Sequence, residues 1–305
     1  MVQVVVPDAG APVLDAVFVV ADCMRMRPLQ EPRSQAATHA GTAAMRFRGV
    51  TIEFALPRGG HYPAVAATDL AVGGNEFVAI VGPTGCGKST LLNVAAGLLA
   101  PTSGAIEVLG APLAGLNLSA GYLFQQDAVM PWKTARDNVA IGLEVAGITR
   151  AEALARAQAW LKRVGLAAFG ERYPHQLSGG QRKRVGLAQV LIRDPKILLM
   201  DEPFGPLDAQ TRQIMGNLLL ELWAGDRKAV LFVTHDLEEA IALADRVIIM
   251  SAGPAARVIG DYAIDLGRPR DAQEVRLLPR FHELHKAIWG QLRAEVLKAY
   301  AEEVA

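Results

Sequence analysis

The chain has 305 residues, and its 31 lysines and arginines balance its 31 aspartates and glutamates, so its formal charge at neutral pH is zero. This balance lacks the overall excess of basic residues that is typical of nucleic-acid-binding proteins, and we expect no nucleic-acid partner. Hydrophobic residues make up 51% and charged residues 20%, which favours a folded core over a disordered chain. Two cysteines, Cys23 and Cys86, cannot form a disulfide framework, which favours a reducing compartment.

Residues 1–44 mix proline, alanine, glutamine and serine without a sustained period, which predicts a poorly ordered N-terminal tail. A later translation start is an open alternative, at Met24, Met26 or Met45. The longest apolar stretch of the tail, residues 13–21, is interrupted by Asp15 and lacks a preceding lysine or arginine. It is shorter than the roughly 18 residues of a membrane helix and is a poor signal peptide, so we expect a soluble chain.

A regular pattern begins at Met45. Residues 46–54 alternate as a strand does, and residues 56–62 form a turn-rich connection. Continuous apolar runs, typical of strands buried on both faces of a parallel sheet, occur at 77–81, 197–200, 229–233 and 246–250. Helical patterns lie between these runs, at 88–98, 179–192, 210–223 and 237–244. This alternation predicts an α/β core with a mainly parallel sheet.

Two further helical regions interrupt or follow this core. The strand signal stops between about 126 and 182, where residues 151–164 carry apolar side chains at helical spacing, which predicts a helical subdomain. After Arg270 another amphipathic helix carries one apolar stripe, made of Phe281, Leu284, Ile288 and Leu292. We therefore expect one domain over 45–270 and a C-terminal helical extension over 271–305.

A phosphate-binding motif follows the first buried run. Residues 82–89 match the pattern G-x-x-x-x-G-K-[ST] between a predicted strand and a predicted helix. Its glycines let backbone N–H groups turn towards an anion, Lys88 adds a charge for the β- and γ-phosphates, and the Ser89 hydroxyl can ligate Mg²⁺. The residues predicted to hold the nucleotide here are Gly82, Pro83, Thr84, Gly85, Cys86, Gly87, Lys88, Ser89 and Thr90. A helix N-terminus can also lower a thiol pKa, so redox control at Cys86 is a weak alternative to a small tolerated side chain.

Polar side chains follow three other strand-like segments. Asp201 and Glu202 end the run 197–200, His235 follows the run 229–233, and Gln125 ends the segment 121–124. The carboxyl ends of parallel strands are where α/β folds bind ligands. Asp201 and Gln125 are therefore predicted to hold Mg²⁺, Glu202 to accept a proton from an attacking water, and His235 to contact the γ-phosphate. The alternatives are that Asp201 and Glu202 are solvated carboxylates of a turn and that His235 has only a structural role.

A second glycine-lined helix start lies far along the chain. Ser178 is a plausible N-cap, and Gly179 and Gly180 expose backbone N–H groups ahead of Gln181. Two anion-binding helix starts in one chain suggest a shared ligand, although the second could simply be a well-capped helix.

All these motifs, in this order, resemble those of the nucleotide-binding subunit of ABC transporters over residues from about 45 to about 270. The Walker A motif is followed by the Q-loop at Gln125, the signature at 177–181, the Walker B motif at 197–202, the D-loop at 205–208 and the H-loop at His235. The resemblance implies a P-loop ABC ATPase core with an added antiparallel β subdomain. It also implies a homodimer in which two chains lie head to tail around two MgATP, with Asp208 near the nucleotide and an aromatic side chain stacked on adenine. Phe54 is our choice for that aromatic residue, with Tyr62 as the alternative.

A finer resemblance is to importers of nitrate, sulfonates and taurine, carried by residues 124–132, 137–139, 234–240 and 265–270. It implies a motor subunit at the cytoplasmic face of the inner membrane that drives uptake of a small anion through membrane permease subunits. A periplasmic or lipoprotein substrate-binding protein would be an indirect partner. Trp132 would face the permease, or would merely pack in the helical region. Departures from the family pattern are Gln189, Asn75, Gly205 and Pro206. Competing hypotheses are a soluble ABC-type switch and a non-hydrolysing nucleotide sensor.

Overall fold

The structure, a computed structural model, describes residues 43–57 and 59–304. The predicted N-terminal tail lies outside the described residues except for Ala43 and Ala44, which already belong to the first strand. In the described part of the chain, no helix combines the length and the apolar character needed to cross a bilayer.

The strands and helices occur in the following order: β1 (Ala43–Ala55), β2 (His61–Gly73), β3 (Phe77–Val81), α1 (Lys88–Ala95), β4 (Ser103–Val108), β5 (Ala111–Pro112), β6 (Ala120–Leu123), α2 (Ala135–Val145), α3 (Arg150–Arg163), α4 (Gly179–Leu191), β7 (Ile197–Asp201), α5 (Ala209–Gly225), β8 (Ala229–Val233), α6 (Leu237–Leu243), β9 (Arg246–Met250), β10 (Val258–Ala263) and α7 (Pro279–Val304). Short 3₁₀ turns lie at Ala167–Phe169, Pro174–Gln176 and Glu274–Leu277.

The main sheet has six strands in the order β10-β9-β3-β8-β7-β6. All neighbouring pairs are parallel except β10 with β9, so the predicted mainly parallel α/β core is confirmed. Every residue of β3 and β8 is buried, because hydrophobic clusters cover both faces of the sheet. This arrangement places the carboxyl ends of β3, β6, β7 and β8 at one edge, where the predicted site residues follow.

A second, antiparallel sheet has the strand order β2-β1-β4-β5. Its first strand agrees with the predicted strand at 46–54, but β2, β4, β5 and the edge strand β10 were not predicted from the sequence. β2 is rich in alanine, and its pairing with β1 shifts register four times, so the period-two pattern is broken. The turn after β1 is also shorter than expected, since β2 already begins at His61.

The helical segment between β6 and β7 has a hydrophobic cluster of its own, which α2 and α3 share with α4. The side chains of Thr134 and Thr149 cap α2 and α3 by accepting hydrogen bonds from backbone N–H groups three residues later. The local sequence thus specifies where both helices begin.

Helix α1 ends at Ala95, three residues before the predicted end. Gly97 adopts a left-handed backbone with φ of 70°, and a Cβ there would lie 1.9 Å from the carbonyl oxygen of Gly115. The helix stops because the chain turns into this close backbone contact.

The C-terminal helix α7 buries its predicted apolar stripe in the main core. Phe281, Leu284, Ile288 and Leu292 are all at most 5% exposed. Glu295, one turn later, accepts a hydrogen bond from the backbone N–H of Ala252 at 2.7 Å. The extension is therefore packed against the α/β core and fastened to the loop that follows β9.

Candidate functional site

The loop between β3 and α1 has a conformation that requires glycine at two positions. Gly85 and Gly87 adopt φ values of 75° and 91°, in the left-handed region that side chains disfavour. A Cβ at Gly87 would also lie 2.7 Å from the Cγ2 atom of Val65 on β2. The antiparallel sheet therefore packs directly against this loop, while Thr84 and Gly85 remain exposed at its tip.

Lys88 is held inside this loop. Its ammonium group donates hydrogen bonds to the carbonyl oxygens of Gly82, at 2.9 Å, and Pro83, at 2.8 Å. The side chain is only 6% exposed, so a buried cation lies directly beneath the exposed backbone of the loop. A polyanion such as a nucleotide phosphate chain fits this combination of a positive helix N-terminus and a fixed cation.

Oxygen ligands for a divalent cation lie beside the loop. The Ser89 hydroxyl donates a hydrogen bond of 2.7 Å to Oδ1 of Asp201 at the end of β7. Burial raises the pKa of Asp201, and the negative charge of Glu202 raises it further. The hydrogen bond from Ser89 and the charge of Lys88 oppose this rise. Within residues 43–57 and 59–304, no group of three or more histidine, cysteine, aspartate or glutamate residues could hold a metal ion. One hydroxyl and one carboxylate fit Mg²⁺, which commonly takes its remaining ligands from phosphates and water.

Two other predicted site residues, His235 and Gln125, contact the carboxylate of Glu202. Its Oε2 atom lies 2.9 Å from Nδ1 of His235 and accepts a longer hydrogen bond of 3.5 Å from the Gln125 side-chain amide. The backbone of Glu202 has a φ of 41°, which is unusual for a side chain of this size and typical of functional sites. Its N–H donates to the carbonyl oxygen of Val233 at 2.9 Å, so β8 fixes this conformation.

The second glycine-lined helix start is capped as predicted. The Ser178 hydroxyl accepts a hydrogen bond from the N–H of Gln181, and the Gln181 side chain accepts one from the N–H of Ser178. Gly180 is buried against α5, where a Cβ would lie 2.6 Å from Cγ2 of Thr211. Gly179 is under no such restriction, since the nearest side-chain atom to a Cβ there, Cδ2 of Leu207, would lie at 3.7 Å.

The start of α4 is connected to Gln125 by a residue that the sequence did not single out. Lys183 is 5% exposed, donates to the carbonyl oxygen of Gln125 at 2.6 Å and pairs with Asp127 at 3.1 Å. Arg182 binds the same aspartate at 2.8 Å. The two consecutive basic residues that follow the signature, Arg182 and Lys183, are the feature of the sequence that could have indicated a connection between α4 and the segment after Gln125.

The structure does not bring every predicted residue to the loop. Asp208 caps α5 by accepting hydrogen bonds from the backbone N–H and the hydroxyl of Thr211, which lower its pKa. Among the hydrogen bonds and ion pairs of the described residues, none joins Asp208 or the signature, Ser178 to Gln181, to the loop 82–90. The structure therefore does not connect Asp208 or the signature to this loop through such contacts within the described residues.

Both candidate aromatic residues lie on the hairpin beside the loop. Phe54 of β1 and Tyr62 of β2 are direct cross-strand partners, so their side chains share one face. Tyr62 packs against the core, and a Cβ at Gly253 would touch both its hydroxyl, at 3.4 Å, and the carbonyl oxygen of Gly85, at 3.9 Å. Phe54 is 39% exposed, whereas Tyr62 is partly buried, so the two candidates differ in their access to solvent.

The thiol of Cys86 is buried within the loop at 1% exposure. Burial raises its pKa, and the charge of Lys88 opposes this effect only partly. A buried thiol with a raised pKa is a poor nucleophile, which favours the interpretation of Cys86 as a small tolerated side chain.

The comparisons with known proteins agree with this geometry. The ABC transporter family model matches residues 65–205. An uncharacterized ABC transporter ATP-binding protein of Methanocaldococcus jannaschii is 45% identical over 79% of this chain and 88% of its own. The taurine import ATP-binding protein of Burkholderia thailandensis is 44% identical over 81% of this chain and 95% of its own.

Among solved structures, the chain is similar to the ATP-binding cassette MJ0796 in a dimeric post-hydrolysis state bound to ADP and phosphate. The TM-score is 0.65 at 31% identity, over 73% of this chain and all of that one. The predicted fold class, a P-loop ABC ATPase core, is thereby confirmed. The chain belongs to the ABC transporter family, as one of its ATP-binding ATPase subunits.

Proposed function

We propose that this chain is the motor subunit of an ABC importer, which binds and hydrolyses MgATP to drive uptake of a small anion such as taurine, another sulfonate or nitrate. The observation that carries the hydrolytic part is the shared Glu202 carboxylate, contacted by His235 and Gln125 next to the pair formed by Ser89 and Asp201. An acid and base cluster at the mouth of a phosphate-binding loop is what ATP hydrolysis requires.

The chain's residues divide this reaction among them. Lys88 and the N–H groups of the loop bind the β- and γ-phosphates, and Ser89 and Asp201 hold Mg²⁺, which supplies neutralising charge when it is bound. Glu202 accepts the proton of the attacking water, and its contact with His235 fixes the orientation of the carboxylate. Gln125 reaches the same carboxylate and orients the water.

A second copy completes the site. Gly179 and Gly180 present backbone N–H groups at the start of α4, whereas the N–H groups of Ser178 and Gln181 already bond within the helix cap. Among the described hydrogen bonds, none joins these four residues to the loop of their own chain. In a head-to-tail homodimer these groups, with Asp208, would cover the nucleotide held by the partner, while Phe54 stacks on adenine. The dimeric state of the similar cassette MJ0796 supports this arrangement.

The names of the taurine import relatives and the exposed face near Gln125 support the transport role. Trp132 is 57% exposed and Phe124 is 36% exposed, so neither is an ordinary core residue. A surface with exposed aromatic side chains fits a membrane permease that binds at the cytoplasmic face and receives its cargo from a substrate-binding protein.

The test compares purified wild-type chain with Glu202→Gln, and uses Glu221→Gln on the exposed surface of α5 as the matched control. We expect Glu202→Gln to bind ATP and to lose at least about a hundredfold in hydrolysis, as expected for a general base. Turnover close to wild type would refute Glu202 as the base. Wild-type hydrolysis should also rise when permease and loaded binding protein are added in proteoliposomes, whereas a soluble switch would show no change.

A further inference from the structure

A buried carboxylate lies directly behind the His235 turn. Glu239 of α6 is 6% exposed, and its Oε2 accepts a hydrogen bond of 2.5 Å from the hydroxyl of Thr234. The same hydroxyl oxygen accepts a hydrogen bond of 3.0 Å from the N–H of Asp236. The Thr234 hydroxyl thus donates one hydrogen bond, to Glu239, and accepts one from Asp236, the residue that follows His235.

The backbone of Thr234 is fixed as well. It is 2% exposed and its N–H donates to the carbonyl oxygen of Ile80 on β3 at 3.2 Å. His235 itself is about half exposed, so little packing holds its side chain in the position from which Nδ1 reaches Glu202. The orientation of the histidine therefore depends on its two anchored neighbours.

A small cavity lies next to Glu239. It has a volume of about 10 Å³, and Arg212 of α5, Glu239 of α6 and Arg276 of the 3₁₀ turn before α7 line it together with Gln213 and four small or apolar residues. Oε1 of Glu239 and the Nε atoms of both arginines are buried without a hydrogen-bond partner among the described protein groups. The residues that line the cavity thus carry one unpaired acceptor and two unpaired donors, and one water molecule, which needs about 10–15 Å³ and two to four polar partners, fits this combination.

The arginines are themselves held in place. Arg212 pairs with Asp236 at 3.0 Å, and Arg276 pairs with Glu238 at 3.0 Å. The cavity therefore connects the helix after His235 with the chain segment that leads into α7.

We propose that Glu239 is a positioning residue for His235, which acts through the Thr234 hydroxyl, and that a water bound between Glu239, Arg212 and Arg276 holds its second oxygen. Loss of the carboxyl oxygen would free the Thr234 hydroxyl and let the His235 turn relax. The phosphate-binding loop would be unchanged, because neither Glu239 nor Thr234 contacts it through a side-chain hydrogen bond. This inference rests on the role proposed above for His235.

The test measures kcat and KM for MgATP in Glu239→Leu, Glu239→Gln and Thr234→Val, with Glu221→Leu and Glu221→Gln as matched controls. We expect Glu239→Leu and Thr234→Val each to lower kcat at least about tenfold with KM within about twofold, because a small displacement of a catalytic group costs one to two decades. Glu239→Gln keeps an oxygen that accepts from Thr234 and should retain at least about a third of wild-type kcat.

The double variant Thr234→Val with Glu239→Leu decides whether the two residues act as one. We expect its kcat to lie within about twofold of the lower single variant, whereas a product of the two losses would overturn the proposal. Wild-type kcat in a folded Glu239→Leu variant, or in Thr234→Val if Glu239→Leu does not fold, would also overturn it. His235→Ala separates the hypotheses: if it stays active, the role of His235 is wrong, and if it is inactive while Thr234→Val is wild type, only this inference is wrong.

Discussion

The buried carboxyl of Glu239 should make the stability of this protein depend on pH. Burial raises its pKa from 4.5 to about 7, and the charge of Asp236 adds to this effect. The hydrogen bond from Thr234 and the charges of Arg212 and His235 oppose it. In the unfolded chain the carboxyl has its ordinary pKa, so the native state binds one more proton between these two values.

The sign follows from proton binding. Below pH 4.5 the carboxyl is protonated in both states and its contribution is constant. As pH rises towards 7 the unfolded state loses the proton first, so this part of the stability is lost progressively and is absent above pH 7. A shift from 4.5 to about 7 corresponds to about 3 kcal/mol at 1.36 kcal/mol for each pKa unit.

Glu239→Gln resembles the neutral acid and does not titrate. Urea unfolding without nucleotide, followed by tryptophan fluorescence from pH 4.5 to 7.5, should therefore show the variant gaining about 3 kcal/mol on wild type across this range. Glu221→Gln on α5 is the control for replacing an exposed carboxylate by an amide. Parallel curves for Glu239→Gln and wild type would refute a raised pKa for this carboxyl.

Three further predictions concern packing. Gly180→Ala should cost about 1–3 kcal/mol of unfolding free energy through the clash with the Thr211 methyl group, and Thr211→Ser, which removes that methyl and keeps the hydroxyl, should restore stability in urea unfolding. Ile288→Ala should cost about 2–5 kcal/mol, because α7 is part of the main core; a loss below 1 kcal/mol would show that the helix packs loosely. In a Cys23→Ser background, iodoacetamide should label Cys86 only after unfolding, as measured by mass spectrometry, and rapid labelling of the native chain would contradict its burial.

Much of the site could be predicted because its residues follow strongly patterned segments. β3, β7 and β8 are continuous apolar runs, and parallel pairing brings their carboxyl ends to one edge. The chain positions of Lys88, Asp201 and His235 therefore indicated a shared location before any distance was known.

Other features depend on contacts that sequence patterns do not contain. The pairing of Lys183 with Asp127 joins positions far apart in the chain. The cavity next to Glu239 is lined in part by Arg276, which lies outside the domain predicted over 45–270. β2 was missed because alanine and shifted register obscure its alternation. The shape of the phosphate-binding loop was predictable, whereas the packing of Val65 and Gly253 around it was not.

In the proposed head-to-tail arrangement, a second copy of the chain completes the nucleotide site. Sedimentation velocity of Glu202→Gln with saturating MgATP should therefore show a stable dimer that returns to monomer when ATP is removed. Adding Gly179→Glu, at a position where a Cβ meets only ordinary contacts of 3.7 Å or more, should abolish the dimer while ATP binding persists. A Glu202→Gln chain that is saturated with ATP and stays monomeric would contradict the account.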